Sequence, residues 1–306
     1  MNIVNRALTL IGVVAVSGMF VYGTYKKEDD SQVIDNQGTS KVNDYNVYAL
    51  DVPEKLDFAG EAMPLHKSDI YERIDRELLV NTYWQSNGLL LIKRSKKYFP
   101  IIEPILKKYG VPDDFKYLAV IESGLTQAVS PAKATGFWQI LKTTGRELGL
   151  EINQNVDERY HIEKSTEAAC KYLLDAKQQM GSWTLAAAAY NAGNHGVQKF
   201  LEQQKVDNYY DLLLGQETGR YVFRIVAIKQ ILENAKLYGF NYNEKHLYNL
   251  PETNLVIVDD EVANFPDFAS TYGITYKDLK IHNPWLRERH LNNASRKIYE
   301  IKIPKQ

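Results

Sequence analysis

The sequence predicts a mainly α protein, one helical domain followed by a small β-α-α-β module, and three observations carry this. Between residues 66 and 245, apolar residues recur at helical spacing almost without interruption, and strand-like alternation is scarce. Short runs of Gly, Pro and Asn punctuate that region at helix-length intervals. After Pro251 the pattern changes to two alternating apolar stretches that bracket two short helical ones.

The first element is an uncharged stretch from Ala7 to Tyr25, flanked by Arg6 and by Lys26-Lys27. As a helix it just spans a hydrocarbon core of about 30 Å. Residues 1–27 are therefore expected to be a signal peptide or a membrane anchor. The balanced flanking positive charge fixes no orientation. Residues 28–65, rich in Asp, Ser, Asn, Gln, Lys and Gly, read as a disordered tether. Helices are expected near 68–91, 93–109, 113–123, 137–148, 165–180, 183–192, 207–214 and 217–236. Ser165 and Ser182 stand as N-caps, Gly193 ends the alanine-rich helix, and Gly193-Asn-His-Gly196 reads as a helix end and turn. In the tail, residues 251–306, Leu255–Val258 and 297–303 read as strands. Residues 264–272 and 275–281 read as short helices around Gly273.

Composition excludes several classes. The chain has 306 residues, 44% of them hydrophobic, enough for one good-sized core and a smaller module. A formal net charge of -1 leaves no basic field for nucleic acid. Cys170 is the sole cysteine, so no internal disulfide forms. The six histidines are scattered without metal-ligand spacing, and neither a phosphate-binding glycine loop nor a serine nucleophile elbow occurs. No cofactor and no metal are expected, and the protein is expected to be monomeric. Asp157-Glu158-Arg159 reads as a solvated turn or a local ion pair.

The informative oddity is Glu122. On the helix 113–123, Phe115, Leu118, Ala119 and Glu122 fall on one face, and that face should pack inward. A carboxylate there is either a general acid whose proton is retained by burial or half of a buried ion pair with Arg146, Arg220 or Arg224. Similar polar interruptions recur at Ser123, Ser130, Gln139, Tyr190, Asn191 and Tyr221. Phe137 and Trp138 precede Gln139.

In their order, Glu122-Ser123, Ser130-Pro-Ala-Lys-Ala-Thr-Gly-Phe-Trp-Gln139, Ala189-Tyr-Asn191 and Tyr221-Val222 resemble the motif series of family 1 lytic transglycosylases, which share the goose-type lysozyme-like fold. Thr144–Leu150, Val156–Arg159, Ser165–Ala169 and Tyr190–Gly193 resemble the membrane-bound murein transglycosylase D subgroup. The resemblance spans about 100 to 240, and Gly-Phe-Trp-Gln stands where many relatives have Gly-Leu-Met-Gln. The tail resembles a divergent LysM module, with its best match from Tyr272 to Leu279 and at Asn283-Pro284. The resemblance implies a lysozyme-like catalytic domain over 66–245 and a peptidoglycan-binding module over 251–306. It also implies a place in the bacterial envelope, facing the periplasm. The partner it implies is the glycan strand of peptidoglycan.

It implies a mechanism as well. Glu122 would protonate the leaving oxygen of the MurNAc-β-1,4-GlcNAc bond, and the N-acetyl group of MurNAc would assist. As a base, Glu122 would then deprotonate that sugar's 6-hydroxyl, giving 1,6-anhydroMurNAc without water. Ser123, Ser130, Gln139, Tyr190, Asn191 and Tyr221 would position sugars or the glutamate, and Phe137 and Trp138 would form an apolar wall. The motif-bearing segments offer a single acid, unlike the usual glycosidase pair. A hydrolytic muramidase of the same fold and a non-catalytic wall-binding protein are the alternatives.

Overall fold

The computed structural model describes residues 47–305, so the expected signal peptide or anchor, and the tether up to residue 46, lie outside the described residues. From residue 47 on, the expected tether is corrected. Asp57–Phe58 (β1) and Glu61–Ala62 (β2) pair as a hairpin turned by Ala59 and Gly60, both at positive φ. Leu56, Phe58 and Met63 are buried, and the Phe58 ring meets Phe115 edge-on at 5.0 Å. The Glu61 carboxylate accepts from the Trp183 and Thr184 amides at 2.5 and 2.9 Å, an anion at a helix N-terminus. Polar composition hid three apolar anchors. Phe58→Ala is expected to cost about 3–5 kcal/mol, measurable by chemical denaturation, because it empties a fully enclosed site.

The helical domain runs α1 (Ser68–Tyr83), α2 (Gln85–Tyr109), α3 (Lys116–Ser123), α4 (Lys142–Glu147), α5 (Ile162–Met180), α6 (Trp183–Ala192), α7 (Asn194–Gln204) and α8 (Gln216–Glu233). At its centre is α6, whose residues Leu185–Ala189 are completely enclosed by α5, α7 and α8. Alanines there let neighbouring helices approach closely, and Ser182 caps the helix by accepting from the Leu185 amide at 3.1 Å.

Several expected boundaries move. The break between the first two helices falls at Trp84. Residues 137–141 are not helical, because Gly136 (φ 81) and Gln139 (φ 47) fold them into a loop held by bridges between Val129, Thr135 and Ile140. Helix α5 starts at Ile162, so Ser165 is a buried residue inside it rather than its cap. Residues 194–204 form a helix instead of a turn: Gly193 at φ 80 redirects the chain, and α7 buries Val197. Within 207–214 only Tyr209–Asp211 makes a single 3-10 turn.

The tail is the β-α-α-β unit expected. Strands β3 (Thr253–Val258) and β4 (Tyr299–Pro304) pair antiparallel with Val256 opposite Ile301, and they bracket α9 (Phe265–Thr271) and α10 (Tyr276–His282). A capping box between Thr275 and Asp278 starts α10. The module core contains Phe265, Leu279, Leu286 and Ile301, together with Val156 contributed by the helical domain. Beside it, Asp157, Glu158 and Arg159 are 8%, 3% and 8% exposed, so the solvated-turn reading fails and the ion-pair reading stands. No helix among the described residues is long and apolar enough to cross a membrane.

Candidate active site

Helix α3 ends at Ser123 because Gly124 adopts the left-handed conformation (φ 60), which leaves Glu122 in the last turn. Phe115, Leu118 and Ala119 are completely buried on the face that Glu122 continues. Glu122 lies half-buried on a cleft of about 550 Å³. The same cleft is lined by Ser130, Gln139, Tyr190, Asn191 and Glu217, with Ile140 and Leu141 as apolar wall.

Two of the three arginines proposed as ion-pair partners are engaged elsewhere. Arg220 Nε donates to Glu77 at 2.6 Å, and Arg146 donates to the Ile152 carbonyl at 2.6 Å. Arg224 donates to the Ile121 carbonyl at 3.2 Å and acts on Glu122 only through its field. Among the described residues Glu122 forms no ion pair; its carboxyl receives a short hydrogen bond from the Tyr221 hydroxyl. Burial raises the Glu122 carboxyl above the ordinary glutamate range; the Tyr221 hydrogen bond and Arg224 oppose this, and Glu217 adds to it. Tyr221 is itself buried, and burial with the adjacent Glu122 charge pushes its hydroxyl well above the usual tyrosine value. It is therefore a neutral, permanent donor.

The surrounding polar residues form a linked frame. Ser123 Oγ donates to the Phe137 carbonyl at 2.8 Å, and the Tyr190 hydroxyl donates to the Trp138 carbonyl at 2.7 Å. Gln139 Nε2 donates to the Ala128 and Gly136 carbonyls at 3.0 and 2.9 Å, which fixes its loop. Ser130 Oγ accepts from the Ala134 amide at 3.1 Å. Asn191 accepts from the Thr218 hydroxyl at 2.8 Å and donates to Glu217 at 3.3 Å, tying the end of α6 to the start of α8.

One expectation is corrected here. Phe137 and Trp138 do not wall the cleft with their rings. They are 2% and 0% exposed, Phe137 packs on Tyr98 with ring centroids 4.7 Å apart, and Trp138 Nε1 donates to Thr166 at 2.8 Å. The positive-φ turns on either side aim both rings into the core and present their carbonyls to Ser123 and Tyr190. The cleft also holds a second acid, Glu217, outside the motif residues read from the sequence. Its position four residues before Tyr221 was the available signal, but an acid in a first helical turn reads first as a helix-dipole residue.

Residues 99–212 match the transglycosylase SLT domain, and residues 254–306 match the soluble lytic transglycosylase C-terminal LysM-like domain. The chain thus carries a lysozyme-like SLT domain and, behind it, a LysM-like module. Among curated relatives it is similar to membrane-bound lytic murein transglycosylase D of Escherichia coli strain K12. The two are 36% identical over 152 residues, which cover 48% of this chain and 34% of the relative. The same protein of Escherichia coli O6:H1 matches with the same values. The chain spans about a third of the length of these relatives.

Proposed function

We propose that the protein is a peptidoglycan lytic transglycosylase that cleaves the MurNAc-β-1,4-GlcNAc bond and leaves 1,6-anhydroMurNAc ends. The observation that carries this is Glu122: a cleft carboxyl with no cation in ion-pair contact among the described residues, seated on an apolar helix face and hydrogen-bonded by a neutral tyrosine. Such a group holds a proton above the ordinary glutamate range and can deliver it to a leaving oxygen. With the leaving sugar gone, the MurNAc N-acetyl oxygen shields the anomeric carbon. The ionised Glu122 then takes the proton of the same sugar's 6-hydroxyl, whose oxygen closes onto that carbon. The proton returns to Glu122 and no water is consumed.

Ser123, Ser130, Gln139, Tyr190, Asn191 and Tyr221 have positioning roles in this reading, Ser123 and Tyr190 by fixing the 137–138 carbonyls and Tyr221 by orienting the acid. The LysM-like module holds glycan strands. The uncharged stretch from Ala7 to Tyr25, and the word membrane-bound in the relatives' name, support export to the bacterial envelope, with residues 1–27 as a membrane anchor or a cleaved signal peptide.

Glu217 supports a second reading, in which it activates a water and the enzyme is a muramidase. Digestion of purified peptidoglycan with mass analysis of the products separates the two. Anhydro-terminated fragments, one water lighter than their hydrolytic counterparts, are expected; reducing ends alone would sink the transglycosylase reading.

A further inference from the structure

The C-terminal module meets the helical domain at Tyr160 and Glu163, through Arg287 and Lys302, and most extensively along the loop 151–159, whose other side holds a segment that lines the cleft. On the module side, Val156 is fully enclosed in the module's own core and bridges to Leu286. The Asn155 carbonyl accepts from the Arg287 amide at 2.7 Å, and the Asp157 amide donates to the Trp285 carbonyl at 2.9 Å. Glu151 accepts from the Tyr299 hydroxyl at 3.0 Å. A module that were merely tethered would complete its core from its own residues. This one borrows a valine.

On the cleft side the same loop ends in Arg159. Its guanidinium grips Asp157 twice, Nε to Oδ1 at 3.0 Å and Nη2 to Oδ2 at 2.8 Å. Its remaining Nη1 donates to the Lys133 carbonyl at 3.0 Å and the Ile140 carbonyl at 3.2 Å. Those carbonyls stand at the two ends of the segment 133–140, which contributes Ala134, Gln139 and Ile140 to the cleft. The contact is close: a Cβ on Gly136 would lie 2.1 Å from the Arg159 carbonyl oxygen, so only glycine fits there. The segment is tied in turn to two positioning residues of the site, because its Phe137 and Trp138 carbonyls accept from Ser123 and Tyr190.

We propose that the C-terminal module is a prop for the catalytic cleft, with Arg159 as the positioning residue that transmits its docking to the wall carrying Gln139. The proposal rests on the transglycosylase reading for its kinetic consequence but not for its structural one. Removing the buttress lets the wall shift, and a shift of about 1 Å at a positioned site costs roughly tenfold to a hundredfold in turnover. The module then affects cleavage even of soluble glycans too short to need its own affinity for the wall.

The test uses the full chain and a short soluble peptidoglycan glycan, with two variants. Val156→Asp places an unpaired carboxylate in the module core and loosens the docking. Arg159→Lys keeps a cation beside Asp157 but cannot also hold both carbonyls. Both variants are expected to lower kcat about tenfold or more with KM nearly unchanged, and both are expected to speed hydrogen exchange at the Thr135, Gly136 and Ile140 amides. Arg159→Lys should do so while the exchange of the module's own strands stays at the wild-type rate. Wild-type kcat in both variants, or unchanged exchange at the three amides when Val156→Asp has loosened the module, overturns the proposal. Inactive wild-type protein would defeat the transglycosylase reading instead, and the exchange measurement would still decide whether the wall is propped.

Discussion

Glu122→Gln is expected to lower peptidoglycan cleavage by about a hundredfold to ten-thousandfold while the protein remains folded. The amide has the same shape and still accepts from Tyr221, but it carries no transferable proton. Its effect on stability should be neutral or favourable at neutral pH. Burial raises the folded-state pKa of Glu122, so the folded protein holds this proton more tightly than the unfolded chain. Ionisation therefore costs folding stability as pH rises above the unfolded value, and a neutral side chain removes that cost. A melting temperature equal to or above wild type, together with lost lysis, is the expected pair of results. Unchanged lysis would take Glu122 out of the chemistry and leave a non-catalytic wall-binding protein.

Tyr221→Phe is expected to have the second largest effect, a fall of about tenfold to a hundredfold in kcat. Tyr221 provides the hydrogen bond to the Glu122 carboxyl, and its ring is locked in the core, so it orients the acid at no further entropic cost at the moment of reaction. The pH profile gives an independent sign. The hydrogen bond favours ionised Glu122, so its loss raises the carboxyl further above the ordinary range. The limb on which activity falls with rising pH, where the general acid loses its proton, should move to higher pH. A limb that moves to lower pH, or a kcat equal to wild type, would show that Tyr221 serves only the core.

Much of the site was legible in the sequence because its polar residues interrupt apolar helices, and such interruptions stand out against a period of 3.6 residues. Glu122 against Phe115, Leu118 and Ala119 is the plainest case, and Tyr190, Asn191 and Gln139 end runs in the same way. What could not be read was direction inside loops. Phe137 and Trp138 sit beside Gln139 in sequence, yet left-handed turns at Gly136 and Gln139 send the two rings inward and leave the carboxamide beside the cleft. Pairings at long range were equally hidden, such as Tyr221 with Glu122, 99 residues apart. In the fold, the long periodic helices and the β-α-α-β tail were readable. The hairpin at Asp57–Ala62 and helix α7 were not, since a few anchors such as Phe58 and Val197 lie within polar surroundings. The second acid, Glu217, was visible as a residue but not as a neighbour of Glu122.

The central claim is that Glu122 directs a sugar hydroxyl, not water, onto the anomeric carbon. Digesting peptidoglycan in isotopically labelled water tests it most directly. The account predicts anhydroMurNAc ends that contain no label from the solvent. Reducing MurNAc ends carrying one labelled oxygen from the first turnover onward would contradict it and assign the water-activating role to Glu217.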